Sequence, residues 1–409
     1  MLAYNRFYTS YRQCFIRSKI TLFNTLLWIY NFPLKPESGG TERITSLVAK
    51  GFSLRGYHCM DILVFDEHTG MMSYRSESIV DLYGFLKKHK VDIVINQIAY
   101  SKWLLDMFLD KGGEKWKQEG GKVISCLHFD PKNPSLLHLL KSKYHKTWRD
   151  RLYLAKAFVL QKYYKLRQEQ EEGSIYNHIY EHSDYFVTLS PTHFPYLRKV
   201  MRRADYHKLV AINNPLTFCT ISTPDILGKK KNIVLVCARM SEYHKRISLI
   251  LKTWRLLQKK YPVAGSWDLK IVGEGSDLDY FKEYVRIRKI SHLHFEGQQS
   301  PEPYYQEASL LLLTSSAEGW GLTITEGLQR GVVPVVMNSS PVFNEMIQNG
   351  IDGFITPNND IKLFAEKIAC LMTDAELRRK MQLAALKSAE TFSLENTMDK
   401  WECKCKISR

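Results

Sequence analysis

No CxxC pair occurs among the eight cysteines of this 409-residue chain, which stand at 14, 59, 126, 219, 237, 370, 403 and 405. That distribution fits neither a dense disulfide framework nor a zinc site, and it predicts a reducing, cytoplasmic setting. No internal repeat or low-complexity tract stands out. Acidic residues are missing from the first 25 positions, which carry Arg6, Arg12, Arg17 and Lys19. The run that follows, ITLFNTLLWIYNFPL, is too short to span a bilayer. Asn24 and Asn31 interrupt it and no small-residue cleavage site follows, so it is not read as a signal peptide either. TLLWIYNF is read as a first buried strand, with a basic extension before it. What the chain does have is 44% apolar residues, enough for two or three cored domains, and a formal charge of +16. That surplus implies an anionic partner: nucleic acid, a membrane face or a phosphate-bearing substrate.

Apolar strand-like runs alternate with helical stretches: LLWIYNF, TERITSLVAKGFSLRGY, CMDILVF, SIVDLYGFLKKH, DIVINQIAY and KVISCLHF. This alternation predicts βαβ units on a parallel sheet. Residues 135–182 read as long, basic and helical, SDYFVTLS resumes a strand, and INNPL at 212–216 reads as a hinge. A second alternating set follows: NIVLVCAR, a helix from Ile247 to Lys260, WDLKIVGEG, a helix near 278–289, HLHFEG, SLLLLTSS, GVVPVVM and DGFITP. The fold class is therefore α/β with two domains. The expected organisation is a basic extension (1–25), an N-terminal domain (26–210), a C-terminal domain (211–392) and a terminal helix (393–409) packing back on the first domain.

The stretch AEGWGLTITEGLQRGVVPVV, 317–336, sets two glutamates around a glycine corner between two buried strands. Ligands of open parallel sheets bind beyond the carboxyl ends of the strands. SLLLLTSS ends at Ser316, which puts Glu318 on that lip. Gly319 and Gly321 permit a tight turn and close approach to a ligand. A helix starting near Leu322 offers free N–H groups for phosphate. Glu326 lies in its first turn, although Thr323-x-x-Glu326 equally spells a capping box, a structural device. Glu318 has no comparable structural duty.

These residues resemble the E-x7-E motif of retaining glycosyltransferases with two Rossmann-like domains facing across a cleft (GT-B fold, family 4, glycosyl transferases group 1). CARMSEYHKR resembles the G-R-x…K-G segment of that family, with Arg239 and Lys245 at the matching positions. IVGEGSDLDYFKEYV, which contains Gly273, resembles the V-G-x-G-x-x motif. SGGTERITSLVAKGFSLRGY, with Gly39 and Gly40, resembles the first glycine loop and helix. SDYFVTLS, NNPL and NGIDGFITPNND also fall in family order, and the match runs over about residues 26 to 400.

The resemblance implies a nucleotide-sugar donor, UDP- or GDP-linked, as a substrate, with no separate cofactor. It implies a glycan or lipid-linked glycan as acceptor and surface polysaccharide synthesis as the setting. It assigns Glu326 to the ribose hydroxyls, Glu318 to hydroxyls of the transferred sugar, and Gly39 and Gly40 to a loop over the diphosphate and acceptor. His128, closing the strand VISCLHF, matches the family's active-site histidine, though a lone histidine also reads as a satisfied polar group. The family's favoured reaction is same-face substitution through a short-lived oxocarbenium pair. Chemistry supports the cations independently, because a diphosphate leaving group needs positive charge on its oxygens. Arg239 can fork onto phosphates and Lys245 adds a point charge. The alternative makes Lys245 and Arg246 a solvated helix start, where cations are unfavourable without an anion. Asp277-Leu278-Asp279 spells D-x-D but is read as the acidic start of a helix, so no metal is expected.

KSKYHKTWRDRLYLAKAFVLQKYYKLR, 141–167, carries nine Lys or Arg against one acid, with Trp148, Tyr153, Phe158, Tyr163 and Tyr164 interleaved. It reads either as a helix for an anionic membrane surface, giving a peripheral protein on the cytoplasmic face, or as a solvated helix. Two other functions compete. A non-enzymatic nucleic-acid binder would use the charge but leave the glycine corners idle, and no nucleic-acid motif is present, so no nucleic-acid partner is expected. A phosphorylase-like enzyme of the same fold would need a phosphate or cofactor site that the sequence does not display.

Overall fold

The computed structural model describes residues 24–33, 35, 39–132 and 159–407. The extension at 1–23 and the part of the basic aromatic stretch at 141–158 lie outside the described residues. The remainder of that stretch opens a helix, Gln161–His182.

Among the described residues fifteen strands form two sheets. The first contains β1 (Thr25–Tyr30), β2 (His58–Cys59), β3 (Leu63–Phe65), β4 (Met72–Tyr74), β5 (Glu77–Ile79), β6 (Ile93–Asn96), β7 (Lys122–Leu127), β8 (Tyr185–Thr188) and β9 (Leu209–Ala211). Its order is β5-β4-β3-β1-β6-β7-β8-β9, with β2 also on β1. Buried runs such as Leu26–Ile29 and Ile93–Ile95 show why these segments become parallel strands covered on both faces. The edge departs from the all-parallel expectation, since β3 pairs with β4 and β4 with β5 antiparallel. Arg75 and Ser76, at the tip of that hairpin, have φ of 51° and 68°. Such a turn normally announces itself with Asn-Gly; without that signal the hairpin goes unread, and its last residues, Ser78 and Ile79, read as part of the predicted helix SIVDLYGFLKKH.

The second sheet contains β10 (Ile233–Cys237), β11 (Asp268–Val272), β12 (Leu293–Gly297), β13 (Leu310–Leu313), β14 (Val333–Asn338) and β15 (Phe354–Pro357), all paired parallel. The order β12-β11-β10-β13-β14-β15 reverses direction between β10 and β13. Loops leaving the carboxyl ends of those two strands diverge and open a crevice, where doubly wound sheets bind ligands. The residues after β10 begin Ala238-Arg239, and those after β13 lead to Glu318.

The helix Leu394–Lys404 packs on the helix Gly40–Leu54 of the first unit, where a Cβ on Gly51 would come within 2.5 Å of Met398 Sδ. Arg55 bridges Asp399 at 2.6 Å and Glu402 at 2.8 Å, and Lys404 Nζ donates to the Ala211 carbonyl at 2.7 Å. Asn213, in the hinge segment, donates to Thr397 Oγ1 at 3.2 Å. The chain therefore returns across the 212–216 segment and packs on the first unit.

Candidate active site

Thr314, Ser315 and Ser316 leave β13 under a buried guanidinium. Arg246 donates Nη2 to the Ser315 carbonyl at 2.8 Å, Nε to the Thr314 carbonyl, and Nη1 to Asn359 Oδ1 at 2.9 Å. Arg246 itself sits at φ 49°, between the short helix Glu242–Lys245 and the helix Ile247–Lys260. The expectation of a solvated helix start here is thus corrected. Arg246 is 7% exposed and fixes the strand end, and Lys245 closes one helix rather than opening the next. The anion beside Lys245 is Glu318, whose Oε1 lies 2.6 Å from Lys245 Nζ.

The corner between Glu318 and Glu326 is shaped by its glycines. Gly321 adopts φ 90° and precedes the helix Leu322–Gln329, a backbone state that side chains disfavour. Gly319 is needed for space, because a Cβ there would come within 2.7 Å of the His128 carbonyl and 2.9 Å of Phe129 Cα. Gly319→Ala should therefore push the corner off the first unit. We expect turnover to fall on the order of 100-fold, the scale of a 1 Å misplacement, with little change in the thermal midpoint. Steady-state kinetics on the purified variant checks this.

The capping-box reading does not hold. Thr323 is the second residue of its helix, the cap position is Gly321, and no side chain caps it. Glu326 instead faces the opposite unit: its Oε1 accepts from Arg43 Nη1 across the cleft and from Thr217 Oγ1 of its own unit, both at 2.9 Å. Burial raises the Glu326 carboxyl above the usual range, opposed by the Arg43 charge and by hydrogen bonds. Trp320 is 3% exposed and stacks edge-on to Phe392 at 5.7 Å, so it belongs to the core.

Across the crevice, Gly39 precedes the helix beginning at Gly40, and a Cβ on Gly40 would lie 3.1 Å from Leu322 Cδ1. His128, just past β7, pairs its Nε2 with Gln97 Oε1 at 2.5 Å. With that carbonyl as acceptor the ring carries its proton on Nε2, and the buried Nδ1 lone pair has no partner among the described residues. Burial lowers the His128 pKa to about 4, so the ring is neutral near neutrality. Two residues on, burial, with Glu318 among the charges adding to it, pushes the Asp130 carboxyl up to about 6.

Arg239, at the end of the β10 segment, is exposed, with no side-chain hydrogen bond or ion pair among the described residues. Gly273 supports that turn. Its φ is 131°, and a Cβ would sit 2.1 Å from the Ala238 carbonyl. Asp277 Oδ2 accepts the Glu242 N–H at 2.7 Å, so the first D-x-D carboxylate ties two loops together, while Asp279 lies in the first turn of the helix Leu278–Arg288. Among the described residues no His, Cys, Asp and Glu cluster suited to a metal occurs.

The structure thus gathers Glu318, Lys245, Gly319 and His128 at one place and Glu326, Leu322 and Gly40 beside it. Sequence reasoning passed over Arg43, Thr217, Gln97 and Asp130. Arg43 stood inside the quoted SGGTER, one turn after the glycine pair, and nothing local marks its distant partner.

Residues 222–388 match the model of the family described as glycosyl transferases group 1. An uncharacterised glycosyltransferase of Haemophilus influenzae is 26% identical over 198 residues, covering 48% of this chain and 54% of its own length. The poly(glycerol-phosphate) alpha-glucosyltransferase of Bacillus subtilis is 26% identical over 192 residues, covering 46% of this chain and 27% of its own length. The chain thus spans about half or less of these curated relatives. The crystal structure of HepE from Anabaena, in complex with UDP and glucose, resembles it with a TM-score of 0.65 at 14% identity, covering 93% of this chain and 99% of that one. That likeness carries the fold: two Rossmann-like α/β domains facing across a cleft, the GT-B architecture.

Proposed function

We propose that the chain is a retaining glycosyltransferase that moves a sugar from a UDP- or GDP-sugar to a glycan or lipid-linked glycan in surface polysaccharide synthesis. One observation carries the reading. Two carboxylates eight residues apart each meet a cation in the crevice, Glu318 with Lys245 and Glu326 with Arg43, beside the exposed Arg239.

In this reading the diphosphate lies over the Leu322 helix start, against Arg239 and Lys245, where fixed positive charge stabilises the departing anion. Glu326 accepts the ribose hydroxyls. Glu318 accepts hydroxyls of the transferred sugar and faces the positive charge that develops as the bond from its anomeric carbon to phosphate breaks. His128, neutral and with a free Nδ1 lone pair, accepts from a hydroxyl of the sugar or acceptor. The acceptor oxygen bonds to the anomeric carbon on the face the diphosphate leaves, and its proton passes to a phosphate oxygen. Proton NMR of the product tests this: retained anomeric configuration is expected, and an inverted product would contradict it.

No helix among the described residues is long and apolar enough to cross a membrane. Peripheral docking on an anionic leaflet, where each Lys or Arg contributes about 1 kcal/mol, belongs to the same proposal. Val159, Tyr163 and Leu166, around the start of the Gln161 helix, are exposed at 78%, 59% and 49%. The protein should sediment with vesicles containing anionic lipid, not with neutral ones, and be released by salt. Replacing Lys143, Lys146, Arg149 and Arg151 with Gln together should weaken that binding and leave donor hydrolysis unchanged. Indifference of the wild type to anionic vesicles at low salt would point to a soluble acceptor.

A further inference from the structure

We infer that Arg43 is a positioning residue for the nucleotide: from the opposite side of the cleft it keeps Glu326 ionised, so that the carboxylate accepts the ribose hydroxyls. The inference rests on the reading of Glu326 as the ribose ligand.

Glu326 is 3% exposed, and a carboxylate so placed stays charged only if it is paired and hydrogen-bonded. Its cation comes from 283 positions away in the chain, across the cleft, while Thr217 approaches from the hinge side. The other titratable groups facing it are Tyr305, on the helix Glu302–Glu307, and Cys237, at the end of β10. Burial raises both of their pKa values, so they stay neutral and supply no charge. Burial already holds the Glu326 carboxyl above its usual range, with Arg43 the largest opposing contribution, so removing Arg43 pushes it up further. A protonated carboxyl gives up an acceptor position and cannot chelate two neighbouring hydroxyl donors. Arg43 lies one turn beyond Gly40, where a Cβ would come within 3.1 Å of Leu322 Cδ1 of the other unit. Nucleotide affinity in one domain thus depends on a residue of the other.

The sign of the pH effect follows. Without Arg43 the Glu326 pKa rises, so the competent form is lost as pH falls, starting from a higher pH than in the wild type. Calorimetric titration of the protein with UDP and with GDP, from about pH 8 to about pH 6, tests this sign. Each variant is read as a ratio to wild type, which cancels the ligand's own phosphate titration. For Arg43→Ala the ratio should worsen toward about tenfold for each pH unit lost. Arg43→Gln, which can still donate a hydrogen bond but carries no charge, should behave alike and serves if the alanine variant does not fold. Arg43→Lys should keep a flat ratio. In Arg43→Ala/Glu326→Gln the affinity should be weak and the slope absent, since an amide does not titrate.

Weak but pH-independent binding by Arg43→Ala or Arg43→Gln would show a merely structural role and overturn the inference. Unchanged binding would do the same. Failure of the wild type to bind either nucleotide would instead remove the ribose reading, and this inference with it.

Discussion

Glu318→Gln should lower sugar transfer by about a thousandfold, the upper scale for losing one preorganised polar group at a reacting centre. The fold should survive. Glutamine keeps the volume, its carbonyl oxygen can still accept from Lys245, and Lys245, 26% exposed, can turn its charge to water. Nucleotide binding should survive too, because the Glu326 cluster is untouched. The charge is what disappears. Glu318 is 13% exposed, on the loop that leaves a buried strand, and its neighbour Gly319 packs against the His128–Phe129 backbone, so a full negative charge there acts through little water. Single-turnover kinetics with an unchanged nucleotide Kd is the expected pair of results, and wild-type turnover would remove Glu318 from the chemistry.

Arg239→Ala and Lys245→Ala should each reduce turnover by on the order of a hundredfold, and their effects on stability should separate them. Arg239 is exposed and makes no side-chain hydrogen bond or ion pair among the described residues, so its loss should leave the thermal midpoint in place. Lys245 neutralises a largely covered carboxylate at 2.6 Å, and its loss should cost about 1–2 kcal/mol, between the exposed and buried limits for an ion pair. Equal losses of activity with a lower midpoint only for Lys245→Ala would match two cations that serve one anion from different environments. A midpoint shift for Arg239→Ala alone would reverse the assignment.

The legible parts of this protein were those whose cause is local. LLWIYNF and NIVLVCAR are buried strands because they are apolar without interruption, and Gly321 marks its turn because its backbone lies where side chains fit poorly. The glycine corner announced a crevice for the same reason. The rest depends on contacts between distant residues. Lys245 meets Glu318 across 73 positions, and Arg43 meets Glu326 across 283. No periodicity encodes either pair, so the cation at Lys245 looked misplaced and Glu326 read equally as a cap and as a ligand. Arg246 misled in the opposite direction, since a charged residue in YHKR reads as solvated until the Thr314 and Ser315 carbonyls surround it. The hairpin at β4–β5 was missed because Arg-Ser stands where the turn signal would be.

The most direct test is the thermal midpoint of the full-length wild-type protein in the presence of UDP-, GDP-, ADP- and CMP-sugars. A ligand that binds the folded state at 100 times its Kd adds about 2.7 kcal/mol of stability. The account predicts that sugars on one nucleotide, UDP or GDP, raise the midpoint clearly while CMP-sugars leave it in place. A midpoint that none of the four moves, at concentrations that saturate a millimolar site, would contradict it.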